Sequence, residues 1–568
     1  MRMFVMPNEH ATGTADGIGQ RDHSVTSEYW ILGPPGTGKT TEISRQIRRA
    51  AEMHGPASVL VTSFSRAAAA ELADCDLPIG PDRLGTLHSH CFHALGTPLI
   101  VEAHVPEWNR SNPHWRITSV KSLARLDGED ALEDDIIGDD CAGDSLLREL
   151  NRLRGLMVDR EFWPAKIREF EREWARYKCE RGLLDFCDLI EVCLREVDVA
   201  PHRPEVLFAD EAQDLNVMQV KLFRKWGNHA RYSVLALDDD QTIFSFIGAA
   251  PEAILNADIP DDHKIVLRQS HRVPVAVHQV ANELIHRVTR REEKVYFPRA
   301  AAGQLHRLST GTYKSPEYFI LSSALKHLEH GKSVMFLASC SYMLRSLIQV
   351  LRKNAIPFHN PYRKANGLWN PLRMGRSTAS RRIISLLVAH PEYGRGQRVW
   401  THADLRLLTE WLRPEDVLQP GAKTLLQAGS SNAPVSAERL VEIFQADVLA
   451  SLLSAVAGDW RALLHWWGRK VAPEFRNRIR FPMDVATKRG PHSLIEDPQV
   501  IVGTIHSVKG GQADVVYLFP DLSRAGDANY RVAGPPRDSV IRVFYVGATR
   551  ARETLYICGR QTAWSVAI

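Results

Sequence analysis

The residues with the clearest chemical meaning form a glycine-rich loop near the start of the chain. The loop matches G-x-x-x-x-G-K-[ST] at every fixed position and reads Gly33-Pro34-Pro35-Gly36-Thr37-Gly38-Lys39-Thr40. An apolar stretch, Tyr29 to Leu32, precedes it and a helix-compatible run, Thr41 to Met53, follows it. This is the strand–loop–helix context of a phosphate-binding loop, in which backbone N–H groups surround phosphate at a helix N-terminus. We therefore predict a nucleoside triphosphate site in which Lys39 reaches the β- and γ-phosphates and the Thr40 hydroxyl ligates Mg²⁺.

A pair of carboxylates after an apolar strand is the second chemical signal. The run Val206 to Ala209 predicts a buried strand, and Asp210 and Glu211 follow it directly. Ligands of open α/β sheets bind at the carboxyl ends of the strands. Mg²⁺ prefers one or two carboxylates together with phosphate oxygens and water. We therefore expect Asp210 to hold Mg²⁺, directly or through water, and Glu211 to polarise the attacking water.

The bulk composition sets broad limits. A chain of 568 residues predicts about three to four domains. Lys and Arg number 71 against 67 Asp and Glu, which gives a net charge of +4. A charge this small does not by itself indicate binding to nucleic acid, so any basic surface that binds it must be local. No apolar run approaches the roughly 20 residues of a membrane span, and the N-terminal segment lacks an apolar signal core. These features predict a cytoplasmic protein without a membrane partner. The eight cysteines predict buried free thiols, with a metal cluster at Cys179, Cys187 and Cys193 as the less favoured alternative.

Short apolar strands alternate with helical runs in the first part of the chain, which favours a parallel sheet covered by helices. The predicted elements are strands at Ala57 to Phe64, Glu205 to Asp210, Tyr232 to Asp238 and Lys264 to Leu267, and a helix at Ala67 to Leu72. Between about 90 and 184 the pattern becomes helical, which indicates an insertion. The residues predicted to form its core share one helix face: Ile167, Phe170, Trp174 and Tyr177.

A second α/β block begins near residue 270 and is also interrupted. Its predicted elements are helices at Ala276 to Val288 and Met343 to Asn354 and strands at Val334 to Ser339, Val500 to Ile505 and Asp514 to Phe519. The intervening region, about 361–494, reads as helical. Its basic residues, Arg476, Arg478, Arg480, Lys488 and Arg489, fit either a solvated face or a surface for nucleic acid or a partner.

Together the loop and the Asp210-Glu211-Ala212-Gln213-Asp214 segment resemble superfamily 1 helicases of the UvrD/Rep/PcrA type. Further segments resemble the remaining motifs of that family in the same order along the chain. They are Val61 to Leu72, Gly85 to Ser89, Leu184 to Leu189, Leu237 to Ala249, Ser270 to Arg272, Gly503 to Gln512 and Val543 to Ala551. The resemblance implies two RecA-like P-loop NTPase domains, each a parallel sheet flanked by helices, with two mainly helical insertions.

The resemblance also implies roles for residues at the triphosphate. Catalytic roles fall on Lys39, Glu211, Gln241, Arg272 and Arg550, with Gln241 sensing the γ-phosphate and the two arginines reaching across the cleft as fingers. A guanidinium is permanently charged and forks onto phosphate oxygens, and such a finger contributes roughly 10³–10⁵ in rate. ATP contacts fall on Gly33, Pro34, Pro35, Gly36, Thr37, Gly38, Lys39, Thr40, Thr41, His271 and Gln512, and Mg²⁺ ligands on Thr40 and Asp210.

Contacts to single-stranded DNA are implied at a further set of residues. Phe244 and Phe246 occupy positions where the family places aromatic rings that stack on bases, although core packing is the alternative for both. Stacking contributes about 1–3 kcal/mol per base and tolerates any sequence. Contacts to the strand's backbone are implied at Ser63, Phe64, His88, Thr504 and His506, because hydroxyl, imidazole and amide groups position phosphate without reading bases.

The sequence departs from the family at four places. His271 replaces the tyrosine that stacks on adenine, Ile247 replaces the usual arginine, and Gln512 replaces a glutamate that touches the ribose. No clear adenine-reading motif is visible; Gln20 is a candidate, although the residues around it do not match that motif well. Preference for ATP over other triphosphates is therefore the least supported part of the nucleotide prediction.

The predicted function is an ATP-dependent translocase on single-stranded DNA that unwinds duplexes, with ATP and Mg²⁺ as cofactors. The predicted boundaries are 1–90 and 185–268 for the first RecA-like domain, 269–360 and 495–568 for the second, and 91–184 and 361–494 for the insertions. The resemblance implies 3′→5′ movement, single-strand/duplex junctions as substrates, and insertions that contact duplex or protein partners.

Other functions remain open at this stage. One is a nucleic-acid-stimulated ATPase that acts as a regulatory switch or displaces proteins without processive unwinding. RNA is a second candidate for the track. A helicase–nuclease is less favoured, because the sequence extends only from 551 to 568 beyond Arg550.

Overall fold

The computed structural model describes residues 27–118, 141–317, 319–363, 367–375, 377–393, 399–428 and 432–568. Gln20, the candidate adenine reader, lies outside these residues. Among the helices that the structure describes, none is both long and apolar enough to cross a membrane.

The first sheet contains six parallel strands. They are β1 (Ser27–Leu32), β2 (Val59–Ser63), β3 (Leu84–Thr86), β4 (Val206–Asp210), β5 (Tyr232–Leu237) and β6 (Lys264–Val266). Their order is β3-β2-β4-β5-β1-β6, and each neighbouring pair is parallel. The carboxyl ends of β4, β5 and β1 are therefore adjacent, which brings Asp210, the segment after Leu237 and the P-loop to one edge.

Helices cover both faces of this sheet, as the alternating sequence predicts. They span Lys39–His54, Arg66–Ala73, Leu87–Ala94, Phe186–Glu196, Val217–Gly227 and Pro251–Leu255. In the first of them Ile43, Ile47, Ala50 and Ala51 share one face and are buried against the sheet. β4 is buried along its whole length, because its side chains are covered by helices on both faces.

A helical segment separates the early strands of this sheet from β4. Its helices span Val105–Ser111, Ala142–Gly155 and Ala165–Arg181. The predicted apolar face of the last helix is confirmed, since Ile167, Phe170, Trp174 and Tyr177 are all buried. Trp108 packs edge-on against Trp174 with ring centroids 4.8 Å apart, so aromatic contacts dominate this small core.

A short ribbon, β7 (Gln269–Pro274) and β8 (Phe297–Arg299), follows the first sheet. The second sheet then contains β9 (Gln304–Arg307), β10 (Val334–Ala338), β11 (Val500–Thr504), β12 (Ala513–Leu518) and β13 (Ala551–Ile557). Its order is β11-β10-β12-β13-β9, again with parallel pairs. Helices flank it at Val275–Ile285, Ile320–Glu329, Arg345–Lys353, Arg524–Arg531 and Pro535–Ala548. The fold class predicted from the sequence is confirmed: mixed α/β with parallel sheets flanked by helices.

A larger helical segment lies between β10 and β11. Its helices span Ala379–Leu387, His402–Glu410, Ala422–Ala428, Ala437–Ile443, Ala446–Ala457, Trp460–Lys470 and Pro473–Arg489. Its apolar residues form one continuous core with one face of the second sheet. The other face of the second sheet belongs to another cluster, which also contains Ile243, Phe244 and Ala249 of the first lobe, the part of the chain built around the first sheet. The two lobes therefore share a core.

Five strands were not predicted from the sequence: β3, β7, β8, β9 and β13. β3, β8 and β9 are short, and all of the first four carry polar or exposed residues, so they lack the apolar run that signals a buried strand. β13 begins with Ala551, Arg552 and Glu553, and two charged residues at its start hide its apolar continuation.

Candidate nucleotide site between the two lobes

The P-loop closes tightly at the carboxyl end of β1. Gly36 and Gly38 have φ values of 72° and 83°, in the left-handed region that favours glycine. The Thr37 hydroxyl donates to the Pro34 carbonyl oxygen at 2.7 Å, and the Gly33 amide donates to the Leu237 carbonyl oxygen at 3.0 Å. The helix that starts at Lys39 therefore presents its N-terminus to the cleft with the loop fixed to β5.

Lys39 and Glu211 meet at the centre of this edge. The Lys39 ammonium forms an ion pair with Glu211 Oε1, and Gln213 Nε2 donates to Glu211 Oε2 at 2.7 Å. Glu211 has a φ of 52°, a conformation that non-glycine residues adopt mainly where the surroundings impose it. The strained turn at the end of β4 thus directs this carboxylate toward the P-loop.

The pKa values of the two adjacent carboxylates are shifted in opposite directions. Burial raises the pKa of Asp210 to about 6, with a further contribution from the neighbouring Glu211 charge. Burial also acts on Glu211, but Lys39 and Lys509 outweigh it and hold the pKa of Glu211 at about 2. Glu211 is therefore ionised at neutral pH, whereas Asp210 gains a proton as the pH falls through about 6.

The site can accommodate Mg²⁺ on chemical grounds. Asp210 is 3% exposed at the end of β4, and its Oδ1 accepts from the Glu211 amide at 2.9 Å. Thr40 is the second residue of the P-loop helix. One carboxylate and one hydroxyl match what Mg²⁺ takes from protein when phosphate supplies further oxygens. In the described part of the chain no cluster of three or more His, Cys, Asp or Glu residues suits a metal, so this is not an all-protein cage.

Gln241 links the two lobes beside these carboxylates. Its Nε2 donates to Asp238 Oδ2 at 2.6 Å, and its Oε1 accepts from Arg550 Nη2 at 3.2 Å. Asp238 is held in turn by Lys294, whose ammonium lies 3.3 Å from Asp238 Oδ1. The amide of the predicted γ-phosphate sensor is therefore oriented from both sides.

Arg550 is fully buried, and none of the carboxylates in the described ranges pairs with it. It is 1% exposed, and its guanidinium donates to the carbonyl oxygens of Val546 and Gly511 at 2.9 and 3.1 Å. Burial, followed by repulsion from Arg272, lowers the pKa of Arg550 to about 9. Neither Arg272 nor Arg550 forms an ion pair with any carboxylate that the structure describes.

The strand that carries Arg272 rests directly on the P-loop. The Ser270 hydroxyl donates to the Pro35 carbonyl oxygen at 2.7 Å, and the His271 amide donates to the Gly36 carbonyl oxygen at 2.8 Å. A side chain at Gly36 would overlap Cβ of Arg272. Gly36 therefore has a second function, because it permits this close approach of the two lobes.

His271 and Gln512 stay predictions as nucleotide contacts. His271 is exposed, and its backbone amide donates to the P-loop. Gln512 Oε1 accepts from Arg272 Nε at 3.0 Å, so Gln512 orients one of the two predicted fingers. The exchange of glutamate for glutamine leaves this acceptor in place.

Four of the predicted DNA-contacting residues form one aromatic cluster across the lobes. Phe64 stacks on Phe244 at 5.5 Å, and Phe246 meets His506 edge-on at 5.4 Å. Phe244 is only 4% exposed, so a base could stack on it only after its neighbours separate. Burial lowers the pKa of His506 to about 4, so its imidazole is neutral. Base stacking by Phe244 and Phe246 stays a prediction.

The remaining predicted DNA contacts, Ser63, Thr504 and His88, do not belong to the aromatic cluster. Ser63 and Thr504 end β2 and β11, and each is 1% exposed. The Ser63 hydroxyl is buried without a hydrogen-bond partner, which is a costly arrangement. His88 lies on the helix Leu87–Ala94, and its ring packs edge-on against Phe186 with the ring centroids 6.0 Å apart. These roles also stay predictions.

Lys509 belongs to the segment Gly503 to Gln512, and no role was predicted for it. Its ammonium forms an ion pair with Asp214 across the lobes and lies 3.5 Å from Glu211 Oε2. It also lies 5.1 Å from the centre of the Phe244 ring. The only sequence signal was that Lys509 and Asp214 belong to two family motifs, which does not indicate that they meet.

Removal of Lys509 should destabilise the contact between the lobes. Asp214 has a side-chain exposure of 1%, so Lys509→Met leaves its carboxylate buried without a cation. Loss of one partner of a buried pair costs about 3–5 kcal/mol. We expect a clearly lower melting temperature, measured by calorimetry. The matched control is Lys332→Met in the same lobe, whose partner Glu553 is 38% exposed, and it should change little. Equal effects of both variants would contradict this account.

Comparisons with known proteins agree with this geometry. Residues 19–260 match the family model of the UvrD/REP helicase N-terminal domain. DNA helicase II of Escherichia coli (strain K12) is 25% identical over 385 residues, 60% of this chain and 50% of that protein. ATP-dependent DNA helicase PcrA of Staphylococcus aureus (strain Mu50) is 22% identical over 358 residues, 59% and 48% respectively.

A third relative is the putative ATP-dependent DNA helicase YjcD of Bacillus subtilis (strain 168), 23% identical over 269 residues, 43% of this chain and 34% of that protein. The chain spans about half the length, or less, of the curated relatives it matches. The chain is therefore UvrD/Rep/PcrA-like, and its residues 19–260 are similar to the N-terminal domain of UvrD/REP helicases.

Proposed function

We propose that this protein is an ATP-dependent DNA helicase that moves along single-stranded DNA. The observation that carries the proposal is the convergence of Arg272 and Arg550 on the P-loop and on Gln241 of the facing lobe. Two cations without acidic partners at such a cleft suit the phosphates of a nucleotide bound between the lobes. The curated relatives are named ATP-dependent DNA helicase or DNA helicase, which supports DNA as the track.

Hydrolysis would use the groups around the P-loop in distinct roles. Lys39 would bind the β- and γ-phosphates, and the ionised Glu211 would polarise the attacking water. Lys39 is now paired with Glu211, so phosphate that binds Lys39 would free the carboxylate for water. Thr40 and Asp210 would hold Mg²⁺, which supplies charge neutralisation at the β- and γ-oxygens.

Closure of the cleft would couple this chemistry to movement. Arg272 and Arg550 belong to the second lobe, so their contacts with the γ-phosphate would draw the lobes together and would be lost after hydrolysis. The aromatic cluster and Lys509 lie at the same junction, so closure would also move residues proposed to hold the strand. Movement in the 3′→5′ direction, action at single-strand/duplex junctions and contacts of the helical segments with partners rest on the family resemblance.

Strand displacement with Glu211→Gln tests the proposal most directly. The amide keeps the size of the side chain but cannot act as a base, so DNA-stimulated hydrolysis should fall at least about 10²-fold while ATP binding persists. The assay uses 3′-tailed and 5′-tailed duplexes with ATP, and the wild type should displace strands from the 3′-tailed substrate. Displacement by the Gln variant at the wild-type rate would refute the role of Glu211. A wild type that hydrolyses ATP without displacing strands would favour the switch.

Arg550→Lys tests the proposed finger. Lysine keeps the charge but loses the fork that reaches Gln241 and the phosphate together, so kcat should fall roughly 10³-fold or more. Arg552→Lys, two residues away and exposed, is the matched control and should keep wild-type turnover. Similar losses in both variants would indicate a general effect of β13 rather than a finger.

The loss of ATPase activity at acid pH should follow the protonation of Asp210. Its pKa of about 6 is above its ordinary value, so its proton competes with Mg²⁺ below neutral pH. We expect phosphate release to fall as pH drops through about 6, and the midpoint to move to lower pH as Mg²⁺ is raised. Glu211, with a pKa of about 2, should contribute nothing in this range. A midpoint that does not depend on Mg²⁺ would be inconsistent with Asp210 as the metal ligand.

A further inference from the structure

The residues that lead from the second lobe into the second helical segment form hydrogen bonds with β11, the strand that precedes Lys509. His359 donates its amide to the Val500 carbonyl oxygen at 3.0 Å and accepts from the Val502 amide at 3.0 Å. Asn360 is fully buried, and its Nδ2 donates to the Ser507 hydroxyl at 3.0 Å and to the Val502 carbonyl oxygen at 3.2 Å. The chain therefore leaves the second lobe in a fixed position at this point.

Tyr362 projects from this fixed segment onto Gly511. A methyl group at Gly511 would overlap the Tyr362 hydroxyl and lie 2.5 Å from Cζ and 2.7 Å from Cε2. The phenol therefore lies directly on the glycine backbone, which only the absence of a side chain permits. Tyr362 is 41% exposed, so part of the ring remains open.

Gly511 and Gln512 also hold both predicted fingers. The Gly511 carbonyl oxygen accepts from Arg550 Nη1 at 3.1 Å, and Gln512 Oε1 accepts from Arg272 Nε at 3.0 Å. We call these two residues the finger shelf. The Tyr362 hydroxyl, the two guanidiniums and the finger shelf thus form one cluster at the end of the cleft that faces the P-loop.

The polar groups around the Tyr362 hydroxyl are mostly donors. Arg272 and Arg550, whose guanidiniums can only donate, are near enough to act on the phenol oxygen electrostatically. Burial raises the pKa of Tyr362 even though Arg550 opposes it, so the hydroxyl keeps its proton at neutral pH. Glu71, across the cleft, is a carboxylate whose charge acts on the phenol, and no hydrogen bond joins the two described side chains.

A guanidinium has no acceptor, so the hydroxyl proton must be donated elsewhere. An oxygen of the phosphate group that binds both guanidiniums would satisfy this donor. The γ-phosphate is the group that fingers contact, whereas a diphosphate lacks it.

We propose that Tyr362 is a further nucleotide-binding residue, which donates a hydrogen bond to the terminal phosphate and distinguishes a triphosphate from a diphosphate. The inference rests on the proposed function, since it assumes that the cleft binds ATP. Because Tyr362 belongs to the root of the helical segment, this contact would also connect that segment to the state of the nucleotide.

Equilibrium binding of two nucleotides to the full chain tests the inference. Tyr362→Phe keeps the ring on Gly511 and removes only the hydroxyl. With Mg²⁺ present, we expect the variant to bind the non-hydrolysable imido analogue of ATP about tenfold more weakly and ADP within about twofold of the wild type. Tyr342→Phe is the matched control, because Tyr342 lies in the same lobe and is 40% exposed, and it should bind both nucleotides normally.

Gly511→Ala provides a second variant that does not alter Tyr362 itself. Its methyl group would displace the phenol, so it should also weaken the triphosphate analogue more than ADP. Equal affinity of Tyr362→Phe and wild type for the analogue would overturn the inference and leave the proposed function intact. So would an equal loss for ADP, since that indicates a general structural effect. A wild type that binds neither nucleotide would overturn both.

Discussion

The two guanidiniums that lie at the cleft without acidic partners are the constraint on which the rest of the structure depends. Burial of Arg550 lowers its pKa to about 9, and a shift of that size corresponds to a cost on the order of 5 kcal/mol for keeping the charge. Carbonyl oxygens and amide side chains offset part of this cost, because each donor that points into protein finds an acceptor. An anion supplied from solution is the natural partner for the charge that remains.

Other contacts at the junction follow from the need to hold these charges in place. Gly36 lets the strand of Arg272 approach the P-loop, and Gln512 accepts from Arg272. Gln241 accepts from Arg550 and donates to Asp238, which Lys294 neutralises. The contacts of Gln241 with Arg550 and of Asp238 with Lys294 join the two lobes, so they exist only while the lobes are together. The polar contacts between the lobes therefore form only when the cleft is closed. The shared apolar core around Ile243 and Phe244 also joins the lobes, and its contacts do not depend on charge.

The parts of the site that could be predicted from the sequence are those formed within one continuous segment of the chain. The P-loop specifies its strand, its glycine turns and its helix, and the run Val206 to Asp210 specifies a buried strand that ends in a carboxylate. Pairs formed between distant segments could not be predicted, because spacing along the chain does not reveal which residues meet. Lys509 and Asp214 are an example, and Lys294 lies outside every motif. The burial of Phe244 was weighed as an alternative, and only tertiary contacts place it in a cluster with Phe64.

Competition among a few charges offers a physical basis for coupling between nucleotide and strand. Glu211 is shared by Lys39 of its own lobe and Lys509 of the other, so it lies between two cations. A phosphate that binds Lys39 would leave Glu211 more dependent on Lys509, and Lys509 lies over the Phe244 ring of the aromatic cluster. A change at the phosphate would therefore alter the balance of charge at residues proposed to hold the strand. No long relay is required, because Glu211 and the aromatic cluster contact the same lysine.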